Sequence, residues 1–325
     1  MMLARLSASA LARSGVGARL STLIFHRVRP ETDLGAPLAL DAAGFDRLLH
    51  WVSEVFTVLP VDEAVERLAS DSLPARALTI TFDDGYADNA EVALPILRRH
   101  GMCAAFFVAS DYLDGGVMWN DQITLAMRGA PAGLFKFSGD ELGVLGLADV
   151  ELDNDRSRRQ AAAAFIRKVK YLTPRLRTAT VNALVDRAGV TMPGTLMMSS
   201  AQVRELRDAG MVVGGHTCSH PILSTLSDSQ AEAEIANNKI ILEELVGERL
   251  RLFAYPNGVP GRDYRAEHAR MVERIGYQAA FSTAWGVAQR AHDPYQLARF
   301  TPWDRQRNPF LWRMVRNLLR QPQLA

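Results

Sequence analysis

A chain of 325 residues with 37 Lys and Arg against 36 Asp and Glu has a formal net charge of +1, so no global field points to nucleic acid or a polyanionic substrate. Apolar residues make up 48% of it, enough for the core of one large α/β domain or two smaller ones. No run of about 18 apolar residues occurs, so no transmembrane helix is expected. The two cysteines, Cys103 and Cys218, sit far apart and imply no disulfide framework.

Residues 1–20 carry Arg5, Arg13 and Arg19 and no acid. Their apolar stretch, Leu6 to Ala12, is short, Ser/Ala-rich and followed at once by Arg13, which makes a poor secretory signal. A surface helix leading into the first strand is expected, and with it a cytoplasmic location. The first strand, 22–25, ends on His26. Phe45, Leu48, Leu49, Val52 and Val55 then follow helical spacing. A strand at 78–82 runs into Asp83-Asp84-Gly85, and Ala90 to Arg99 reads as a helix stopped by Gly101. The next strand is 104–108.

From about 111 to 199 the alternation breaks. Gly115-Gly116, a Phe/Gly-rich section and a charged helix near 153–172 ending before Pro174 read as a mainly helical insertion between two strands. It is either a packing elaboration or a wall of a substrate groove, since Trp119-Asn120-Asp121 opens it. Strand 211–215 then delivers His216-Thr217-Cys218-Ser219-His220. Ser227-x-x-Gln230 is a capping box opening a helix that runs to Gly247. Strands at 252–255 and 278–282 follow. The tail, 306–325, alternates Phe310, Leu311, Trp312, Val315, Leu318 and Leu319 with Arg313, Arg316 and Arg320. This basic amphipathic helix is expected to pack on the body of the fold; adhesion to an anionic membrane surface is the sharper reading. Strand–helix alternation implies a parallel sheet with helices outside. Oligomeric state is not legible.

Two motifs carry chemistry. Asp83 and Asp84 sit where a strand breaks on a glycine, and His216 and His220 follow another strand. One Asp with two histidines suffices as an open site for a catalytic divalent metal, and the other Asp is then free to act as a base on water the cation activates. Cys218, between the histidines, reads as a small side chain in a tight loop. Zinc suits such a ligand set, and cobalt or nickel also binds one.

Thr81-Phe82-Asp83-Asp84-Gly85 followed by His216-Thr217-x-x-x-His220 resembles the NodB-type polysaccharide deacetylases, carbohydrate esterase family 4, over roughly residues 20–305. The resemblance implies a distorted (β/α) barrel of about seven strands and removal of acetyl from an N-acetylated amino sugar in a glycan or glycan precursor; an amidohydrolase acting on a small non-sugar amide on the same scaffold, and a glycan-binding relative without turnover, are the alternatives. By position it makes Asp83 the general base and Asp84, His216 and His220 the metal ligands. Catalytic groups of such barrels project from the C-terminal strand ends, where both motifs fall. The family's usual general acid is a histidine near the C-terminus, and this chain has none after His292. His26, in Phe25-His26-Arg27-Val28, resembles instead the first strand of circularly permuted poly-β-1,6-N-acetylglucosamine deacetylases, which makes His26 the candidate acid. Phe253-Ala254-Tyr255-Pro256-Asn257-Gly258 is similar to the third motif, with two departures. Ala254 stands where an arginine normally orients the base, so Arg299 is the candidate replacement. Asn257 stands where a tyrosine lends its backbone N–H to the oxyanion, a role independent of side chain. Tyr86, Trp119, Tyr255, Trp285 and Trp303 are candidates for stacking on sugar, Tyr86 and Trp119 foremost.

Overall fold

Runs that are apolar or threonine-rich on both faces become the strands of one parallel sheet, as sheets covered on both sides require. A computed structural model describes residues 2–31, 40–138, 142–300, 302 and 304–325. Its central strands are β1 (Ser21–Phe25), β2 (Ala77–Phe82), β3 (Ala105–Val108), β4 (Val212–Gly215), β5 (Leu252–Ala254) and β6 (Ala279–Phe281). They lie side by side in chain order, all parallel, with Thr57–Val58 added beside β2.

The sheet curls until its ends meet. Leu297 bridges Phe281 of β6 and Phe300 bridges Leu23 of β1, both in parallel sense. The Leu297 N–H donates to Ala280 O (2.8 Å) and the Phe300 N–H to Thr22 O (2.9 Å). The stretch 297–300 therefore fills the gap between the last and first strands, and the fold is a distorted (β/α) barrel. The helix-facing side of the sheet is dense: Phe82 and Phe106 stack at 4.9 Å between ring centres, and Phe45, from a covering helix, meets Phe25 edge-on at 5.5 Å.

The chain divides into two compact units, Met1–Asp114 with Met197–Ala325, and Gly115–Leu196. In the first, helices α1 (Met2–Leu11), α2 (Ala42–Val55), α3 (Val61–Ala69) and α4 (Leu94–Arg99) precede the second unit in sequence. Helix α2 buries Phe45, Leu48, Leu49, Val52 and Val55, as their spacing predicts. The helix read at 90–99 is in fact a wide π turn, Asn89–Ala93, followed by α4. Pro95 explains it: a residue with no N–H cannot continue a regular ladder, and the preceding turn widens.

The second unit contains α5 (Trp119–Gly129), α6 (Asp155–Val169) and α7 (Pro174–Ala188) around its own core of Ile123, Phe137, Phe165 and Leu184. After it come α8 (Ser200–Asp208), α9 (Asp228–Val246), α10 (Ala266–Ile275) and α11 (Arg307–Asn317). The capping box at Ser227 and Gln230 is formed, and Gly247 ends α9 in the left-handed conformation. Helix α11 turns Phe310, Leu311, Met314 and Val315 inward and packs against α1 and α2. No helix among the described residues is long and apolar enough to cross a membrane.

Candidate active site

Strand register brings the two motifs to one end of the barrel. Phe25 lies opposite Phe82, so His26 and Asp83 take the same next step on neighbouring strands. Val108 and Phe253 both lie opposite Gly215, which places His216 at the same C-terminal edge. Seven non-glycine residues have positive φ among the described residues. Four of them, Asp84 (77°), Thr217 (64°), His220 (50°) and Asn257 (60°), fall in the loops at this edge. Such conformations cost roughly 1 kcal/mol or more each, so the surrounding packing must hold them.

Asp84, His216 and His220 converge. The Asp84 Oδ1 lies 3.3 Å from His216 Nε2 and 3.3 Å from His220 Nε2, and one donor atom from each residue falls within 4.8 Å of the others. That oxygen is buried yet aligned for a hydrogen bond with neither ring. Donors about 3.3 Å apart are what tetrahedral coordination with bonds of about 2.0 Å produces, so the three residues fit a divalent cation. The His216 Nδ1 contacts Ala254 O at 2.7 Å, so Nδ1 carries the proton and Nε2 offers its lone pair to the site. Burial pushes the Asp84 carboxyl up, but the His220 and His216 charges outweigh it and hold it well below the ordinary value. Burial pulls His216 down, and Asp83 and Asp84 together raise it above its ordinary value.

Helix α9 braces the histidine loop. The His216 N–H donates to Asn238 Oδ1 (3.0 Å), while Asn238 Nδ2 donates to Val108 O and Ser110 Oγ, both at 3.1 Å. Gly215 leaves room for this: a Cβ there would meet the Asn238 amide oxygen at 2.8 Å and the Tyr277 hydroxyl at 2.2 Å. Glu234 accepts from the N–H groups of Cys218 and Ser219 (2.9 Å each) and from Ser219 Oγ (2.6 Å). Cys218 is not among the clustered ligand atoms, and burial pushes its thiol up to about 11.

Asp83 makes a different contact. Arg299 grips it bidentately, Nη1 to Oδ1 at 2.6 Å and Nη2 to Oδ2 at 2.8 Å, with both side chains almost wholly buried. Arg299 is itself fixed by Nε donating to Ser282 O (3.0 Å). It comes from the 297–300 stretch, so barrel closure aims the guanidinium. Burial pushes the Asp83 carboxyl up, but the Arg299 charge, with that of His216, holds it below the ordinary value. A buried carboxylate kept ionised beside a cation site is equipped to take a proton.

His26 is exposed at the end of β1 and lines a cleft of about 390 Å³ with Phe25, Arg27, Arg47, Trp51 and Arg305. Its charge is near enough to favour ionisation of both Asp83 and Asp84. Asn257 is half-buried; its left-handed backbone is held by Thr283 Oγ1 donating to its carbonyl at 2.8 Å.

The profile of the polysaccharide deacetylase family matches residues 70–280. The chain belongs to that family. Its members are hydrolases acting on the N-acetyl amide bonds of sugars and are generally metal-dependent. The chain is 22% identical over 284 residues, 87% of its own length and 71% of the relative's, to a putative polysaccharide deacetylase, YxkH, of Bacillus subtilis. Solved structures share the fold. The Streptococcus pyogenes deacetylase PplD in complex with acetate superposes with a TM-score of 0.61 at 18% identity, covering 93% of this chain and 99% of that one. IcaB from Ammonifex degensii gives 0.55 at 18% identity, covering 90% and 94%. The family match includes Asp83, Asp84, His216 and His220 and leaves His26 and Arg299 outside it.

The aromatic candidates need correction. Tyr255 is fully buried, stacked on Tyr264 at 3.8 Å, with its hydroxyl donating to Tyr295 O, so it is core rather than a platform for sugar. Trp119 is 8% exposed, packed in the core of the second unit beneath the Arg177 guanidinium. Tyr86 is 3% exposed, covered by the Arg27 guanidinium, which Asp88 anchors at 2.7 Å. Each ring already has a face partner inside the fold. Trp303 lies outside the described residues. Sequence reasoning missed Glu234 and Asn238. Asn238 left a trace: it falls on the same helical stripe as Ala231, Ile235, Leu242 and Val246, a polar residue on a face otherwise destined for the core.

Proposed function

We propose that this polysaccharide deacetylase is a metal-dependent hydrolase that removes the acetyl group from an N-acetylated amino sugar in a glycan or glycan precursor, with Asp84, His216 and His220 holding the cation. The observation that carries the reading is the pairing of two adjacent carboxylates with opposite partners: Asp84 faces two imidazoles, and Asp83 faces a bidentate arginine. One is dressed as a ligand, the other as a base. A divalent cation, zinc fitting this donor set best, supplies the charge that polarises the amide carbonyl and acidifies water.

The chain's own residues supply the rest. Asp83, oriented by Arg299, takes the proton from the attacking water. The backbone N–H of Asn257 serves the oxyanion, a place where a fixed donor is worth about 3–4 kcal/mol. His26 gives a proton to the nitrogen as the C–N bond breaks, releasing acetate and a free amine.

The test is Asp83→Asn with metal analysis and an acetate-release assay on acetylated sugars and small non-sugar amides. Turnover should fall at least a hundred-fold, in the range expected for loss of a general base, with metal content retained. Substantial residual activity removes Asp83 from the base role. Wild-type turnover confined to the non-sugar amides removes the sugar reading.

A further inference from the structure

The chain is nearly neutral overall, but its charge is segregated. Residues 1–30 and 305–325 hold ten of the 37 basic side chains and none of the 36 acidic ones. These two ends meet in the fold: α1 packs against α11, and Arg19 Nη1 donates to Leu318 O at 2.7 Å. Arg5, Arg13, Arg316 and Arg320 are exposed there, and none has a carboxylate partner among the described residues.

The same region carries exposed apolar side chains. Helix α11 has already turned one face into the core, yet Trp312 (46% exposed) and Leu319 (61%) point outward, beside Trp285 (39%). Together with Pro309, Arg316 and Arg320 they line a cleft of about 620 Å³, with the Arg320 guanidinium 4.9 Å above the Trp285 ring. On α1, Leu6 (56%) is exposed beside Arg5, and Val16 (87%) follows between Arg13 and Arg19.

We propose that this face docks on an anionic lipid bilayer. Tryptophan and arginine together suit the headgroup region, where the ring sits at the boundary and the guanidinium meets phosphate. Arg316 and Arg320, exposed and without an ion pair among the described residues, complement a negative lipid surface, while Arg313 in the same cleft is held by Asp304; a protein partner would have to be matched in shape to the cleft. The contact is peripheral, since the apolar side chains are few and no helix spans. It is independent of the deacetylase reading, because Asp83 and the ligand triad take no part.

The test is co-sedimentation of the full chain with phosphatidylcholine vesicles containing one-third phosphatidylglycerol, against pure phosphatidylcholine vesicles, at low and high salt. The wild type should pellet with the anionic vesicles alone and be released by salt. The double variant Arg316→Gln/Arg320→Gln should lose roughly twenty-five-fold in partitioning, about five-fold per charge near such a surface. Trp312→Ala/Leu319→Ala should weaken binding while acetate release from a soluble substrate stays at the wild-type rate. A wild type that stays in the supernatant overturns the proposal, as does binding that ignores lipid charge and both variants. A lipid-independent dimer dissolved by Trp312→Ala/Leu319→Ala assigns the face to a second copy and overturns it too.

Discussion

Removing Arg299 should expose how much of the site depends on one ion pair. In Arg299→Met the Asp83 carboxylate stays buried, at 3% side-chain exposure, and loses bonds of 2.6 and 2.8 Å together with its counter-charge. Two charge-assisted hydrogen bonds at about 1.5–3 kcal/mol each, and the usual result of orphaning one member of a buried pair, agree on a loss of about 3–5 kcal/mol. The loss should depend on pH. In the wild type the Asp83 pKa is depressed on folding, so its contribution is present above the unfolded value of about 3.9 and is lost as pH falls through the folded one. In the variant burial is no longer offset and the folded pKa rises above the unfolded one, so the deficit is largest at neutral pH, shrinks as pH falls to about 4, and closes only below the depressed wild-type pKa. Denaturant unfolding of chelator-treated protein across that range measures it. Arg299→Lys should recover part of the stability but little turnover, because an ammonium cannot hold both carboxylate oxygens. A deficit under about 1 kcal/mol, or one flat from neutral pH to about 4, with turnover intact, would refute the account of Asp83 as a base held by Arg299.

Three further outcomes are expected. His26→Ala should lower turnover by about 10²–10⁴ with unchanged metal content, and wild-type rates in that variant would leave protonation of the amine to another group. Glu234→Ala, which strips the acceptor from the Cys218 and Ser219 N–H groups, should weaken metal affinity about 10–100-fold in a chelator competition, and an unaltered affinity would count against bracing by α9. Cys103, whose thiol burial and then the Asp62 charge push up to about 11, should alkylate roughly two hundred-fold more slowly than a free cysteine at pH of about 8; rapid labelling of the folded protein would contradict its placement.

The sequence reveals β1, β2 and β4 because each is an apolar run that gives way to a polar side chain: His26, Asp83, His216. The ligand triad is legible for the same reason, since parallel strands deliver their C-terminal ends to one edge. Helix α2 and the Ser227 cap follow from spacing and side-chain reach, which are local. The burial of Tyr86, Trp119 and Tyr255 is not legible because a ring after a strand is equally suited to core and groove; only tertiary packing separates Tyr255 on Tyr264 from a ring open to ligand. Glu234 is invisible to motif reading because it lies 14 residues beyond His220 in chain order and meets the loop only once α9 folds back. The role of 297–300 is hidden too: four residues joined by isolated bridges carry no strand pattern of their own.

That short stretch has a consequence for when the enzyme becomes armed. The residues that complete the barrel wall between β6 and β1 are the ones that present Arg299. A nascent chain therefore holds both histidines and both aspartates well before it holds a tethered proton acceptor. Closing the wall and seating the guanidinium on Asp83 thus depend on the same four residues, 297–300.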